Sequence, residues 1–254
     1  MKLYFTIEVI NFFSASLLFV KMNIMLTYRE LLKRVVNYND SKSIGSRFRQ
    51  NRLELFLPMI NNVFKEHGAV NIIDIGGTET YWNILSSEIL DKKKINITIV
   101  NLPGAIFVPR RKHFFFKEAD ACNLAIFKDK SFHIAHSNSV IEHVGDWRKM
   151  VQFAHEIKRV APRYFIQTPN YWFPIEPHCM TPFFHWLPKP SKIWLVMQFG
   201  LGNWERAKNI HTAVKKVERI HLLNSKMFSA LFSEAVIKKE RVIGFSKSLI
   251  AIKS

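Results

Sequence analysis

Hydrophobic and polar positions alternate between two periods along this chain. A helical spacing covers residues 28–36 and 46–67, and Gly68 is a suitable terminator for the second helix. Short apolar runs, which are too short for helices, predict buried strands. These runs lie at residues 70–75, 96–101, 114–117, 132–137 and 163–167.

Segments of helix length separate these runs. Residues 79–90 are predicted to be helical, and Asp146 is predicted to cap a helix that Pro162 ends. In that helix Met150, Phe153 and Ile157 recur at helical spacing. Strands that alternate with helices predict βαβ units and a parallel sheet.

The last thirty residues follow another pattern. A short helix over 224–232, begun by Asn224 or Ser225, precedes two strand-like runs at 235–244 and 247–254. With no helix between them, these runs are expected to pair as an antiparallel hairpin or to lie side by side at the sheet edge. The predicted fold class is therefore α/β, with a doubly wound, mostly parallel seven-stranded sheet and an antiparallel C-terminal strand.

The N-terminus stands apart from this pattern. Residues 1–27 are predicted to be a hydrophobic extension and residues 28–254 the folded domain. Glu8 interrupts the extension, and the unbroken apolar stretch 9–20 is short for a membrane span. A signal-like segment, a membrane-peripheral helix, a packing helix and a start codon placed before Met22 all remain open.

Composition adds two constraints. The net charge of +17 favours anionic partners such as nucleic acid or a membrane surface, although a solvated, lysine-rich surface explains it equally well. Only Cys122 and Cys179 are present, which excludes a disulfide framework and a CxxC metal site. A reducing, cytoplasmic location is expected, with peripheral membrane contact as an alternative.

The candidate chemistry starts at residues 72–82, which read IIDIGGTETYW. An acidic residue and two glycines follow an apolar run, and ligands of open α/β sheets bind at the carboxyl ends of the strands. The segment fails the GxGxxG dinucleotide pattern, and no Walker loop is present. Asp74 and Glu79 flank the turn, which favours a ligand that carries positive charge.

Four segments in order resemble the motifs of class I S-adenosylmethionine-dependent methyltransferases, a Rossmann-like family. The chain is similar to the small-molecule branch related to methyltransferase type 11, over residues 45–254. The segment 74–77 matches the first motif, although Thr78 and Thr80 replace its later glycines. Asn101 stands where the family has an acidic ribose ligand, EADACNL resembles the adenine segment, and SNSVIEHVGDW resembles the fourth-strand motif.

This resemblance implies S-adenosyl-L-methionine as the cofactor. It implies a cofactor site formed by Asp74, Gly76, Gly77, Thr78, Asn101, Leu102, Asp120, Ala121, Asn138 and Ser139. His143 would face the reaction chamber and serve as the catalytic base for a hydroxyl acceptor, because a neutral imidazole can take its proton. The alternative is that Glu142 and His143 only begin the next helix.

Residues 168–190 hold six of the ten prolines and six aromatic residues, which predicts a stiff apolar lid over the substrate. The predicted substrate-binding residues are Glu142, Trp172, His178 and His185. His178, Cys179 and His185 fit no standard zinc spacing, so no metal is expected. The apolar run 192–202 suits contact with lipid or a partner, or equally a buried helix.

The predicted function is methyl transfer to a hydroxyl oxygen of a small molecule such as a sugar, a lipid or a secondary metabolite. A nucleic-acid methyltransferase is disfavoured, because the amino-methylating motif Asn/Asp-Pro-Pro-aromatic is replaced by Ser137-Asn138-Ser139-Val140. Neither cysteine follows a proline, as cytosine C5 enzymes require. A non-catalytic binding protein of the same fold remains an alternative.

Overall fold

A seven-stranded sheet organises the computed structural model, which describes residues 44–105 and 110–254. The strands in these residues are β1 (Val70–Ile75), β2 (Ile95–Asn101), β3 (Phe114–Glu118), β4 (Ile134–Asn138), β5 (Arg163–Pro169), β6 (Ile175–Glu176), β7 (Thr181–Pro182), β8 (Val236–Val242) and β9 (Phe245–Lys253). The sheet order is β3-β2-β1-β4-β5-β9-β8, and β6 pairs with β7 outside it. Strands β1 to β5 are parallel, whereas β9 is antiparallel to β5 and β8. The predicted fold class is confirmed.

Six α-helices accompany the sheet in the described residues. They are α1 (Ile44–His67), α2 (Ser87–Lys92), α3 (Trp147–Val160), α4 (Lys189–Gln198), α5 (Ile210–Glu218) and α6 (Ser225–Leu231). The polar residues predicted to begin α3 and α6 do so: Asp146 accepts from the Lys149 backbone N–H, and Asn224 accepts from that of Met227. Gly68 ends α1 with a φ of +69°, a conformation that glycine adopts without steric cost.

The segment 79–90, predicted to be helical, forms two separate helices. A 3-10 helix covers Glu79–Ile84, and α2 starts separately at Ser87. The break lies at the extended, buried Leu85 and at Ser86, whose hydroxyl accepts from the Ile89 backbone N–H. The break is stabilised by the burial of Leu85 and by the cap at Ser86, and one such cap contributes about 1 kcal/mol. Together they stabilise two helices over one continuous helix.

Both faces of the sheet are covered. Ile73 and Ile75 of β1 face a core that contains Phe153 and Ile157 of α3. Ile72 faces the opposite core, which contains Trp82 and residues of α1. Because both faces of the sheet are covered, the edge where the strands end is the place at which ligands bind.

A smaller apolar cluster lies in the chain between β5 and α6. Cys179, Phe184, Val196 and Trp204 are buried in it. Helix α4 contributes Val196, but its Trp194 is 58% exposed. Residues 192–198 of the predicted apolar run therefore lie in a helix that buries one part of its surface and exposes another, and residues 199–202 follow it.

Some predictions fall outside the described residues. These are the helix at 28–36 and the hydrophobic extension at 1–27. In the described part of the chain, none of the helices combines the length and apolarity needed to cross a bilayer.

Candidate functional site at the carboxyl edge of the sheet

The glycine turn after β1 occupies the edge where the strands end. Gly76 has a φ of +70°, and its backbone N–H donates to the Val100 carbonyl of β2 at 2.7 Å. A Cβ atom at Gly76 would lie 2.4 Å from Cγ2 of Val140, in the loop after β4. Both the backbone conformation and the packing therefore require glycine at this position.

Asp74 lies beneath this turn, and no part of it is exposed. Its Oδ2 accepts from Trp82 Nε1 at 2.7 Å, and its Oδ1 lies 2.7 Å from His136 Nδ1. A Cβ at Gly77 would lie 1.7 Å from the same Oδ2, so the carboxylate and the turn are in close contact. His136 is buried against aromatic rings and also holds this carboxylate.

Glu79 is also paired within the chain. The Arg110 backbone N–H and Nε of Arg111 donate to its carboxylate at 2.9 and 2.8 Å. Although burial opposes the shift, these donors hold the pKa of Glu79 below its usual value. Neither Asp74 nor Glu79 therefore presents a free carboxylate to a cationic ligand, in contrast to the expectation from sequence.

The ends of β2 and β3 continue the edge. Nδ2 of Asn101 donates to the Gly77 carbonyl at 3.0 Å, which ties β2 to the glycine turn. Leu102 follows and is 63% exposed. One oxygen of Asp120 accepts from the Cys122 backbone N–H at 2.8 Å, beside the partly buried Ala121. A carboxylate has about four lone-pair positions, so this bond leaves Asp120 with capacity to accept from a ligand.

The end of β4 supplies the last predicted cofactor residues. Oδ1 of Asn138 accepts from Nη1 of Arg52 at 2.5 Å. Ser139 has a φ of +57°, and its hydroxyl donates to Gln167 Oε1 of β5 at 2.9 Å. A non-glycine residue in the left-handed region often marks a functional turn.

Asn138 and Ser139 line a cavity of about 260 Å³, which we name the β4–β5 cavity. Its walls come from α1, the ends of β4 and β5, the lid and the C-terminal hairpin. The lining includes Phe48, Arg52, Gln167, Asn170, Phe173, Pro177 and Lys247.

A buried charge cluster borders the β4–β5 cavity. Arg52 donates twice to the Glu240 carboxylate, at 2.6 Å each. Burial, with a smaller effect of Arg52, lowers the pKa of Lys247 to about 8. Lys247 also lies 4.0 Å from the centre of the Phe48 ring. The cavity therefore offers a cation and aromatic surface to a bound molecule.

Glu142, His143 and His178 form a separate group, and none of them lines this cavity. Nε2 of His178 lies 3.0 Å from Nε2 of His143 and 3.9 Å from Oε1 of the fully buried Glu142. The other ring nitrogen of His178 lies 2.7 Å from Oε1 of Glu176. Burial, aided by the nearby His178, lowers the pKa of His143 to about 4, so its ring is neutral at neutral pH.

The other predicted substrate residues lie apart from this group. Trp172 is 60% exposed and packs against Tyr171. His185 is buried, and its Nε2 donates to the Tyr171 carbonyl at 2.7 Å. His185 lines a different cavity, of about 400 Å³, together with Glu176. Trp172 and His185 are therefore not brought to the β4–β5 cavity, although their neighbour Phe173 is.

Comparison with known proteins shows which known fold the chain shares. No protein-family profile matches the sequence, and no curated protein matches it. Among solved structures, the DszA carbon methyltransferase aligns with a TM-score of 0.56 at 12% identity, covering 86% of this chain and 56% of that one. The chain has the fold of the S-adenosylmethionine-dependent methyltransferases.

Two further similar structures have lower TM-scores. A SAM-dependent methyltransferase from Methanosarcina mazei has a TM-score of 0.44 at 15% identity, covering 77% of this chain and 95% of that one. An O-methyltransferase family protein from Burkholderia thailandensis has a TM-score of 0.42 at 15% identity, covering 87% and 64%. The chain thus spans less than two thirds of two of these three structures, and at such identities the likeness concerns the fold alone.

Within this methyltransferase fold, sequence reasoning missed several site residues. Arg52 lies on the buried face of α1, one turn before Phe56. An arginine at a core-facing position of a helix is unusual and could have indicated a functional residue. Gln167 pairs with Asn138 across β4 and β5 and ends the run predicted as a strand at 163–167, so the same rule applied to it. Glu176 lies two residues before His178, but only the structure shows the contact between them.

Proposed function

We propose that this chain transfers a methyl group from S-adenosyl-L-methionine to a hydroxyl oxygen of a small molecule. The observation that carries the proposal is the junction of the glycine turn with its neighbours. Gly77 bonds to Asn101 at the end of β2, and Gly76 packs against Val140 after β4. This junction leaves side-chain-free backbone at the edge where ligands of such sheets bind.

The predicted cofactor residues fit a nucleoside ligand in chemical character. Asn101 can exchange hydrogen bonds with a ribose hydroxyl, and Asp120 can accept from an adenine amino group. The exposed Leu102 and the neighbouring Ala121 offer apolar surface to a base. When bound, S-adenosylmethionine supplies an electrophilic methyl group on a sulfonium.

The β4–β5 cavity supports a small acceptor. It begins at Asn138 and Ser139, which are predicted at the methionine end of the cofactor. Its volume of about 260 Å³ suits a compact molecule. Lys247, Asn170 and Gln167 give it polar groups, while Phe48 and Phe173 give it apolar surface. This combination favours a hydroxylated or anionic small molecule such as a sugar derivative, and it disfavours a duplex nucleic acid.

In the proposed reaction, the residues of the chain would position the acceptor and take up its proton. A closed cavity orients the acceptor and excludes water, which is the main requirement of a displacement reaction. His143 remains the predicted base. Its Nε2 is engaged by His178 in the structure, so acceptance of a substrate proton requires that this contact opens.

Two measurements on the whole chain test the proposal. Isothermal titration should show saturable binding of S-adenosylmethionine and of S-adenosylhomocysteine. Incubation with methyl-labelled S-adenosylmethionine should then label members of a panel of sugars, lipids and phenols. Labelling of transfer RNA or DNA instead would support the nucleic-acid alternative. Cofactor binding without transfer to any acceptor class would favour a binding protein, and absence of cofactor binding would contradict the proposal.

A further inference from the structure

We propose that Glu142, His143 and His178 form a binding site for a divalent transition-metal ion of the Zn²⁺ type. Among the residues that the structure describes, these are the group of histidine and acidic side chains arranged to hold a metal, with all ligand atoms within 4.8 Å of one another. The inference does not depend on methyl transfer. It concerns a site that no spacing motif in the sequence predicts.

The distances suit a small tetrahedral ion. Two ligands that each lie 2.0–2.1 Å from Zn²⁺ are separated by about 3.3 Å. The observed separations from Nε2 of His178 fall on either side of that value: 3.0 Å to Nε2 of His143 and 3.9 Å to Oε1 of Glu142. The two imidazole rings are nearly perpendicular, at 84°, so both nitrogens reach the same point without stacking.

The proton positions favour a cation between the rings. Glu176 is buried, and its Oε2 accepts from the backbone N–H groups of His178 and Cys179, so its side chain acts as an acceptor here. Nδ1 of His178 must then carry a proton, which leaves a lone pair on Nε2. Nε2 of His143 lies 3.0 Å from this lone pair, and it presents a second lone pair when the ring proton of His143 is on Nδ1. In that tautomer one cation can bind both nitrogens.

Glu142 supplies an independent observation. Its side chain is fully buried, its Oε2 accepts from the Thr168 hydroxyl at 3.0 Å, and its Oε1 has no hydrogen-bond partner. A buried carboxylate oxygen without a partner is costly, and a metal ion would satisfy it.

The surroundings match those of known metal sites in kind. A metal-bound histidine commonly donates its other N–H to a carboxylate, which fixes the ring and raises its basicity. Glu176 is placed to do this for His178. Two histidines and one glutamate are a zinc donor set that leaves a fourth position for water or a substrate oxygen. The ion would join the loop after β4 to the lid segment between β6 and β7.

Zinc titration of the whole, chelator-treated chain tests the site. Isothermal titration with Zn²⁺ should show one saturable equivalent, and Co²⁺ in its place should give the visible absorption of a low-coordinate ion. His178→Ala and Glu142→Ala should abolish both signals. Glu176→Gln should retain the ligands but bind about 10–100-fold more weakly, since it loses the carboxylate behind His178.

His155→Ala is the matched control, because His155 is a surface histidine of α3 outside the group. It should bind Zn²⁺ as the unaltered chain does. Should His178→Ala fail to fold, as judged by circular dichroism, Glu176→Gln still decides the matter. Equal Zn²⁺ affinity of Glu176→Gln and the unaltered chain would overturn the proposal. Absence of 1:1 Zn²⁺ binding would overturn it too, and a proton shared by the His143 and His178 rings would then explain their 3.0 Å contact. Because no readout involves S-adenosylmethionine, failure here leaves the methyl-transfer proposal intact.

Discussion

Nδ1 of His136 lies 2.7 Å from Oδ1 of Asp74, and both side chains are buried directly beneath the glycine turn. Trp82 donates to the other oxygen of the same carboxylate. The turn therefore rests on a carboxylate that is held by two donors from different elements. The position of the turn thus depends on interactions within the chain as well as on any ligand.

Asp74→Asn should destabilise the fold. An amide offers one acceptor oxygen, so either the indole N–H or the imidazole N–H loses its partner in a buried place. Such a loss costs about 1–3 kcal/mol. Urea denaturation followed by tryptophan fluorescence measures the change. Glu54→Gln, at an exposed position on α1, is the control and should change the free energy of unfolding by less than about 0.5 kcal/mol.

Gly76→Ala and Gly68→Ala form a matched pair for the cofactor turn. Their φ angles are +70° and +69°, so alanine meets the same backbone penalty of about 1–2 kcal/mol at each position. Only at Gly76 would the new Cβ clash, with Val140, because at Gly68 nothing lies within 4 Å. Gly76→Ala should therefore weaken S-adenosylmethionine binding, and Gly68→Ala should not. Equal affinities of the two variants, measured by calorimetry, would remove the turn from the cofactor site.

Lys247→Met should stabilise the chain in a pH-dependent manner. Burial lowers the pKa of Lys247 from 10.5 to about 8, Arg52 of α1 adds to the shift, and Glu240 of β8 opposes it. Below about pH 8 the folded chain bears the full cost of the buried charge. Between about pH 8 and 10.5 the unfolded chain binds more protons, so the stability of the unaltered chain rises with pH.

The stability advantage of Lys247→Met should accordingly shrink across that interval. Urea denaturation at several pH values measures it, and Lys226→Met, at an exposed position on α6, is the control. A difference between Lys247→Met and the unaltered chain that stays constant from pH 7 to 10.5 would show that Lys247 does not titrate in this range.

His143→Ala tests the predicted base. If His143 accepts the substrate proton, the variant should retain cofactor affinity and lose turnover by about 10²–10⁴-fold, the usual scale of general-base catalysis. His178→Ala separates this role from metal binding, because it removes a proposed ligand and leaves His143 in place. A base role predicts a much larger loss for His143→Ala than for His178→Ala, and equal losses would argue for the shared metal site.

A chain that begins at Met22 tests the N-terminal extension. All predicted cofactor residues lie beyond residue 44, so the shortened chain should fold and bind S-adenosylmethionine as the full chain does. Calorimetry and a vesicle flotation assay on both forms measure this. Loss of binding would place residues 1–21 in the core, and flotation of the long form alone would support the membrane-peripheral alternative.

The pattern of apolar runs was sufficient for the sheet. Each run predicted as a strand is one, within about two residues, and the central strands are apolar because both of their faces are covered. The edge strand β3 is more exposed, and its three consecutive phenylalanines indicated it. The C-terminal hairpin was equally readable, since the short link between β8 and β9 permits only antiparallel pairing. The break within the helical segment 79–90 could not be predicted from the sequence, because it depends on the burial of a single leucine in tertiary contacts.

For the site, sequence alone determined which residues end the strands, and hence Asp74, Asn101, Asp120 and Asn138, because in a parallel sheet all such ends meet at one edge. Only the tertiary structure decided how those residues are used. It buries Asp74 under the turn, pairs Asn138 with Arg52 from α1, and brings His178 to His143 across 35 residues. Spacing along a chain carries information about neighbours within one element, whereas contacts between a helix, a strand end and an irregular lid depend on how the elements pack.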